Sequence, residues 1–235
     1  MNDALTLVLG NRTYSSWSLR GWLLMMLSGA DFEEEMHWLD APGYRDALLA
    51  ATGGSGAVPT LRIGDRVIPD SMAIAEYAAE IAADGALWPS DPLDRAEARS
   101  LAARMHSGFT ALRSACPMNL SNRFPDFSVS DAVAADLRVL EGMWEPRLAH
   151  SGGPFLFGEF GAVDAFFAPV ATRIDSFCLP VSETARGYTD RIMVHPLMRQ
   201  WIADAALEPA IDRPRNDRFA EGGFAAGDWP LLREA

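Results

Sequence analysis

The chain has 235 residues, 49% of them apolar, which is enough for one large domain or two small ones and too apolar for a disordered chain. All 20 of its positive charges are arginine and they face 32 acids, a net charge of −12 that argues against a nucleic-acid partner or an anionic membrane surface. The start, MNDALTLVLG, has no basic leader, no apolar run approaches a membrane span, and Cys116 and Cys178 are too far apart for a redox pair, so a soluble cytoplasmic protein is expected.

LTLVLG (Leu5–Gly10) reads as a buried strand. The next stretch, TYSSWSLRGWLLMML, puts three serines into four residues where a helix needs only one N-cap, and adds an aromatic wedge, Trp17. From Leu19, apolar residues at Leu19, Trp22, Leu23, Met26 and Leu27 mark one helix face. EMHWL (Glu35–Leu39) reads as a second strand, joined to the first through a helix and therefore parallel to it. TLRIGDRVIP is a hairpin around Gly64-Asp65. DSMAIAEYAAEIAA is a helix capped by Asp70 or Ser71, with Ile74, Tyr77, Ala78 and Ile81 on one face. Residues 1–83 thus read as strand, helix, strand, hairpin, helix, a small α/β domain. Gly85 and two prolines make residues 84–92 a linker. Residues 93–235 read as all-α, with helices over Leu93–Ser114, Asp131–Ala149, Val163–Phe177 and from Thr184 or His195 to Leu207. The tail from Glu208 is expected to lie extended on the surface.

Two places in the first domain carry ligand chemistry. Val58-Pro59 opens a strand, and a proline there marks an edge or a cis turn, because it cannot donate a ladder bond. A cis bond would turn the backbone N–H and C=O of Val58 outward, free to pair with an extended, peptide-like ligand. Twelve residues on, Asp70-Ser71 opens a helix, where N–H groups, a hydroxyl and the helix dipole suit a carboxylate, and Asp70 suits an ammonium. In the second domain, RMHSGFTALRSACPMN offers Met105, His106, Phe109 and Arg113. His106 and Arg113 are seven apart, two turns along one helix face with Phe109 between them. The segment is either an interdomain packing helix or a pocket, in which Arg113 stabilises a developing anion and His106 donates a hydrogen bond or acts as acid. No His/Cys/Asp/Glu spacing suggests a metal.

The order of elements together with VPTL and DSMAIAEY resembles the glutathione-binding domain of the glutathione transferase superfamily. SSWSLR is similar to the serine motif of its zeta-like and theta-like members, GAVD (Gly161–Asp164) looks like its helix-capping box, and LWPSDPLDRAEARS looks like its interdomain link. The resemblance implies a thioredoxin-like N-terminal domain followed by an all-α domain. It also implies glutathione as co-substrate, a small electrophile as second substrate, and a homodimer. Val58 beside cis-Pro59 would pair with the cysteinyl backbone, Asp70 and Ser71 would hold the γ-glutamyl end, and Trp17 would line the glutathione site. A serine hydroxyl would bond the sulfur: aligning on SSxS selects Ser15, counting back from Arg20 selects Ser16, and Ser18 is left as the plain helix cap. Met105, His106, Phe109 and Arg113 would face the electrophile. Trp17 replaces the cysteine of zeta-like members, which counts against thiol-disulfide exchange and zeta-type isomerisation. The departures at Ala57, Asp70 and Gly161 leave a catalytically silent binding or regulatory module as the rival reading, and a glutathione-dependent isomerase or dehalogenase as a third.

Overall fold

The computed structural model describes residues 4–38, 41–83 and 87–208. Leu39 of the expected second strand, residues 84–86 of the expected linker and the tail beyond Glu208 lie outside them.

Strand β1 (Leu5–Gly10) runs through the middle of a four-stranded sheet of order β2-β1-β3-β4. Its parallel neighbour β2 is Glu33–His37, two residues earlier than its expected start at Glu35, with Val8 opposite Glu35. The shift follows from position: β2 is an edge strand, where exposed Glu33 and Glu34 are tolerated and discourage further pairing. Strands β3 (Thr60–Ile63) and β4 (Arg66–Pro69) form the expected hairpin, with Leu61 opposite both Leu7 and Ile68.

Helix α1 (Ser16–Ser28) connects β1 to β2 and ends at Gly29, whose φ of 68° closes it in the left-handed region. Helix α2 (Tyr44–Ala51) adds to the predicted order; only Leu48 and Ala51 of its eight residues are buried, too few for a readable apolar stripe. Helix α3 (Ser71–Ile81) begins where expected, because Asp70 Oδ1 accepts the Met72 N–H at 2.8 Å.

Six further helices follow among the described residues. The expected helix from Leu93 to Ser114 is two, α4 (Pro92–Ser107) and α5 (Thr110–Ala115). Between them Phe109 takes φ 59°, and Gly108 passes so close to α4 that a Cβ there would lie 2.7 Å from the Arg104 carbonyl oxygen. His106 and Arg113 therefore do not share a face of one continuous helix. Helices α6 (Asp131–Ser151) and α7 (Ala162–Ser176) match expectation within two residues, and α8 (Glu183–Met193) and α9 (Pro196–Ala206) start behind caps from Ser182 and His195. Helix α7 is buried almost throughout and lies against α1, α4 and α8. One continuous apolar core runs from Leu7 and Leu9 through Trp22, Trp144 and Phe166 to Trp201. Among the described residues no helix is long and apolar enough to cross a membrane.

Candidate active site

The serine cluster is ordered by its own hydroxyls. Ser15 is the N-cap of α1, its Oγ accepting the Ser18 N–H at 3.1 Å. Ser18, expected as the plain cap, lies instead one turn inside the helix, where its Oγ accepts the Gly10 N–H at 2.8 Å and meets Ser15 Oγ at 2.8 Å. The reason is geometric: the cap side chain must reach back over the first turn, and the chain turns helical after Ser15, whose N–H still bonds Asn11 O at 2.8 Å. Ser18 Oγ thus accepts from both the Gly10 N–H and the Ser15 hydroxyl, while Ser15 Oγ accepts the Ser18 N–H. Ser16, the first helical residue, has a hydroxyl that bonds no other described residue.

The Val58–Pro59 peptide bond is cis, as the sequence suggested. No described residue takes up the N–H or C=O of Val58. Pro59 lies against α1 at Gly21, where a Cβ would sit 2.5 Å and 2.6 Å from the proline Cβ and Cγ. Gly21 thus lets the strand opening and the serine helix come into contact, at a cost of about 1 kcal/mol in helix propensity. At the start of α3 the Ser71 hydroxyl is completely buried and has no hydrogen-bond partner. Asp70 beside it takes φ 87°, a conformation side-chain-bearing residues rarely adopt, and its Oδ2 lies 3.4 Å from His106 Nε2.

Trp17 ties the two halves of the chain together. The His106 ring meets it edge-on at 5.0 Å, and the guanidinium carbons of Arg20 and Arg113 lie 4.5 Å and 5.0 Å from its centroid. Arg113 reaches back across the break between α4 and α5, donating to the carbonyls of His106 at 3.1 Å and Gly108 at 3.3 Å. Burial above all, with help from the Arg20 and Arg113 charges, holds His106 below the usual histidine range against the opposing pull of Asp70. The ring is therefore a neutral donor or acceptor at pH 7, and its Nδ1 is buried without a partner. Met105 is fully buried in the core, and Phe109 is buried with the Arg104 guanidinium 5.9 Å from its ring. Of the four residues expected at the second-substrate site, only His106 and Arg113 meet Trp17.

Residues 14–81 match the family model described as "Glutathione S-transferase, N-terminal domain". The chain is 30% identical over 175 residues to a probable maleylacetoacetate isomerase from Caenorhabditis elegans, an overlap of 73% of this chain and 79% of that protein. The chain belongs to the glutathione transferase superfamily.

Solved structures of the superfamily share the fold. A glutathione transferase homolog from Burkholderia gl BGR1, determined with bound glutathione, superposes with a TM-score of 0.66 at 23% identity over 86% of this chain and 98% of that one. A maleylacetoacetate isomerase from Anaeromyxobacter dehalogenans 2CP-1 gives 0.61 at 22% identity over 92% and 97%.

Against this superfamily frame, two residues of the site were missed by sequence reasoning. Gly21 carried a faint signal, a glycine in the middle of an otherwise strong helix. Arg20 carried less, because its motif position says nothing of burial. Its side chain is fully buried, and Nε, Nη1 and Nη2 all lack hydrogen-bond partners. Burial first, and then Arg113 and Arg173, lower its pKa to about 9. Among the described residues no group of three or more His, Cys, Asp or Glu side chains is placed to hold a metal.

Proposed function

We propose that this protein binds glutathione between Val58-Pro59 and Asp70-Ser71, holds its sulfur as thiolate at Ser15, and adds it to a small electrophile held near His106 and Arg113. The observation that carries the reading is the Ser71 hydroxyl, fully buried at a helix N-terminus with nothing bonded to it. An unmet buried hydroxyl costs about 1–3 kcal/mol, which a ligand carboxylate would recover.

The chemistry asked of the site is modest. A free thiol with pKa about 8.5 is about 3% thiolate at pH 7, and lowering it by about two units needs about 2.7 kcal/mol. One charge-assisted hydrogen bond supplies roughly 1.5–3 kcal/mol and a helix N-terminus roughly 0.3–1 more. Ser15 suits this task because its hydroxyl, which donates to Ser18 Oγ in the ligand-free protein, would turn to a bound sulfur while the Ser18 hydroxyl turns to donate to Ser15 Oγ. The Ser15 proton is then left for the sulfur, and successive donors polarise one another. Arg113 would oppose negative charge developing on the electrophile, and neutral His106 would donate a hydrogen bond to it.

The test is the ultraviolet thiolate absorbance of bound glutathione, titrated in the wild type and in Ser15→Ala, Ser16→Ala and Ser18→Ala. Ser15→Ala should move the midpoint towards that of the free thiol and cut activity at pH 7 by about tenfold to a hundredfold, the deficit shrinking above about pH 8.5. Ser18→Ala should move it less in the same direction. A shift in Ser16→Ala alone would transfer the role to the uncommitted hydroxyl, and no shift in any variant would end the serine mechanism. Calorimetry tests the binding site, where Ser71→Ala should weaken glutathione binding by about 1–3 kcal/mol, and turnover of a panel of electrophiles separates an enzyme from a silent module.

A second reading, glutathione-dependent isomerisation, is favoured by the name of the Caenorhabditis elegans relative. It begins with the same thiolate addition to an activated double bond and differs in expelling the sulfur again. Glutathione consumed one for one with product means conjugation; product formed with glutathione unchanged means isomerisation. A cytoplasmic homodimer is the expected setting, and sedimentation at micromolar concentration showing single chains would exclude the dimer.

A further inference from the structure

The turn that delivers Ser15 to the site is held from a point 196 residues beyond Arg12 along the chain, just past α9. Glu208, just after α9, receives three donors on one carboxylate: the Arg12 N–H on Oε1 at 2.5 Å, and the Thr13 N–H at 3.1 Å and Thr13 Oγ1 at 2.9 Å on Oε2. The carbonyls of the same two residues are also taken. Arg12 O accepts from Trp201 Nε1 at 3.1 Å, and Thr13 O from the Leu120 N–H at 3.1 Å. Every backbone polar group of Arg12 and Thr13 is thus bonded to the helical half of the molecule. The turn then closes on Asn11 O, which accepts the N–H groups of Tyr14 and Ser15.

Two successive N–H groups converging on one anion make a concave anion seat, here filled by a side chain of the protein itself. Bonds to an ionised acceptor are shorter and about twice as strong as neutral ones. No described acceptor other than Glu208 takes the N–H groups of Arg12 and Thr13. Without the carboxylate these two donors have only water, and the three-residue path from Thr13 to the Ser15 cap is left with only the carbonyl bonds to Trp201 and Leu120 to fix its end. A thiolate contact is sensitive to such a loss, since displacing a reacting group by about 1 Å costs about a hundredfold in rate.

We propose that Glu208 is a positioning residue: by holding Arg12 and Thr13 it sets where the Ser15 hydroxyl stands relative to the glutathione sulfur. The proposal rests on the reading of Ser15 as the thiolate contact, and it makes the last turn of the helical half part of the thiol-activating apparatus. Its mark is a split between chemistry and binding, because the tripeptide is held by Val58 and Asp70-Ser71, away from the turn.

The experiment compares wild type with Glu208→Ala, Glu208→Gln and Thr13→Val, the last keeping the carboxylate and both N–H bonds. In the ligand-free protein, hydrogen exchange read at single amides should speed up at least tenfold in Glu208→Ala at Arg12 and Thr13 and also at Ser18, whose N–H sits on Ser15 Oγ. With glutathione bound, the thiol midpoint should rise and kcat fall about tenfold to a hundredfold, while the glutathione dissociation constant changes less than about threefold. Glu208→Gln, which keeps one acceptor oxygen, should fall between, and Thr13→Val nearer wild type. Should Glu208→Ala not fold, the order wild type, Thr13→Val, Glu208→Gln in thiol midpoint carries the test. Faster exchange confined to Arg12 and Thr13, with an unmoved midpoint, would reduce Glu208 to a staple and overturn the proposal. If the wild type fails to bind glutathione while exchange still spreads to Ser18, the functional reading fails and the positioning of Ser15 stands.

Discussion

Single residues carry consequences that their neighbours in sequence do not announce. Gly21 is explained by Pro59: a methyl group there would overlap the proline ring at 2.5 Å. Gly21→Ala should therefore gain about 1 kcal/mol of helix propensity and lose about 1–3 kcal/mol to overpacking. Because the overlap displaces Pro59, glutathione affinity should fall about tenfold or more, as measured by calorimetry; an unchanged dissociation constant would detach Pro59 from ligand binding. Arg20 is the converse case, a buried guanidinium with cation–π contacts to Trp17 at 4.5 Å and Phe166 at 5.7 Å but no hydrogen-bond acceptor. Those contacts offset about 0.5–2 kcal/mol of a burial penalty of several kcal/mol. Arg20→Met should raise stability by about 1–3 kcal/mol in denaturant titrations of the ligand-free protein. A loss of stability would mean that an anionic partner holds this arginine.

At the scale of elements, α7 shows how a departure from the expected motif is absorbed. Asp164 Oδ2 accepts the Gly161 N–H at 3.0 Å, but glycine has no side chain to return the bond, so only half of the capping box exists. Packing favours the glycine: a Cβ at Gly161 would lie 3.0 Å from Leu87 O, a tight contact with an oxygen that itself accepts the Ala162 N–H at 2.8 Å. Asp164 also accepts from Tyr188 Oη at 2.7 Å and from Leu156 N–H at 3.4 Å. Burial outweighs these donors and pushes its pKa from 3.8 to about 6. A carboxyl whose folded pKa is raised binds more protons folded than unfolded, so its contribution is complete below about 3.8 and is lost as pH rises through about 6. The stability difference between wild type and Asp164→Asn should shift against the wild type by about 1.4 kcal/mol between pH 5 and 7.5, other carboxyls cancelling in the comparison. A difference flat across that range would mean Asp164 stays ionised. The same elements show what the sequence made legible. Apolar spacing found α1, α3, α6 and α7, because each has a long buried face; α2, with two buried residues, left no pattern. The break at Gly108-Phe109 is hidden because both flanking segments are helical, and the carbonyl pressed against position 108 leaves room there only for a glycine. Cap identity was misread in the serine cluster, where Ser15 and Ser18 have the same chemistry and only the path of the backbone decides which one caps.

For the whole molecule, the division legible in the sequence is not a division of the core. Helix α1 belongs to the first 83 residues, yet it packs on α3 to one side and on α7 and α9 to the other, and all but Trp17, Met26 and Leu27 of its side chains are buried. Trp22 lies 5.4 Å from Trp201, and Trp201 in turn donates to Arg12 O. Removing the helical half would uncover Arg20, Trp22 and the backbone groups of Arg12 and Thr13 together, far more than a small sheet with three helices can compensate. The full chain should unfold in one cooperative step, with tryptophan fluorescence and far-ultraviolet circular dichroism giving the same midpoint. A fragment of residues 1–83 should fail to fold, showing no cooperative melt and rapid exchange throughout β1. Separate transitions in the full chain, or a sharp melt in the fragment, would mean that the first half stands alone and that the contacts of α1 with α7 and α9 are a docked interface. In the expected case, glutathione bound at the proposed site over residues 58–71 would stabilise the helical half as well. The denaturation midpoint reported by Trp144, which lies against Phe167 at 5.3 Å in the second half, should then rise with glutathione concentration as much as the midpoint of the whole.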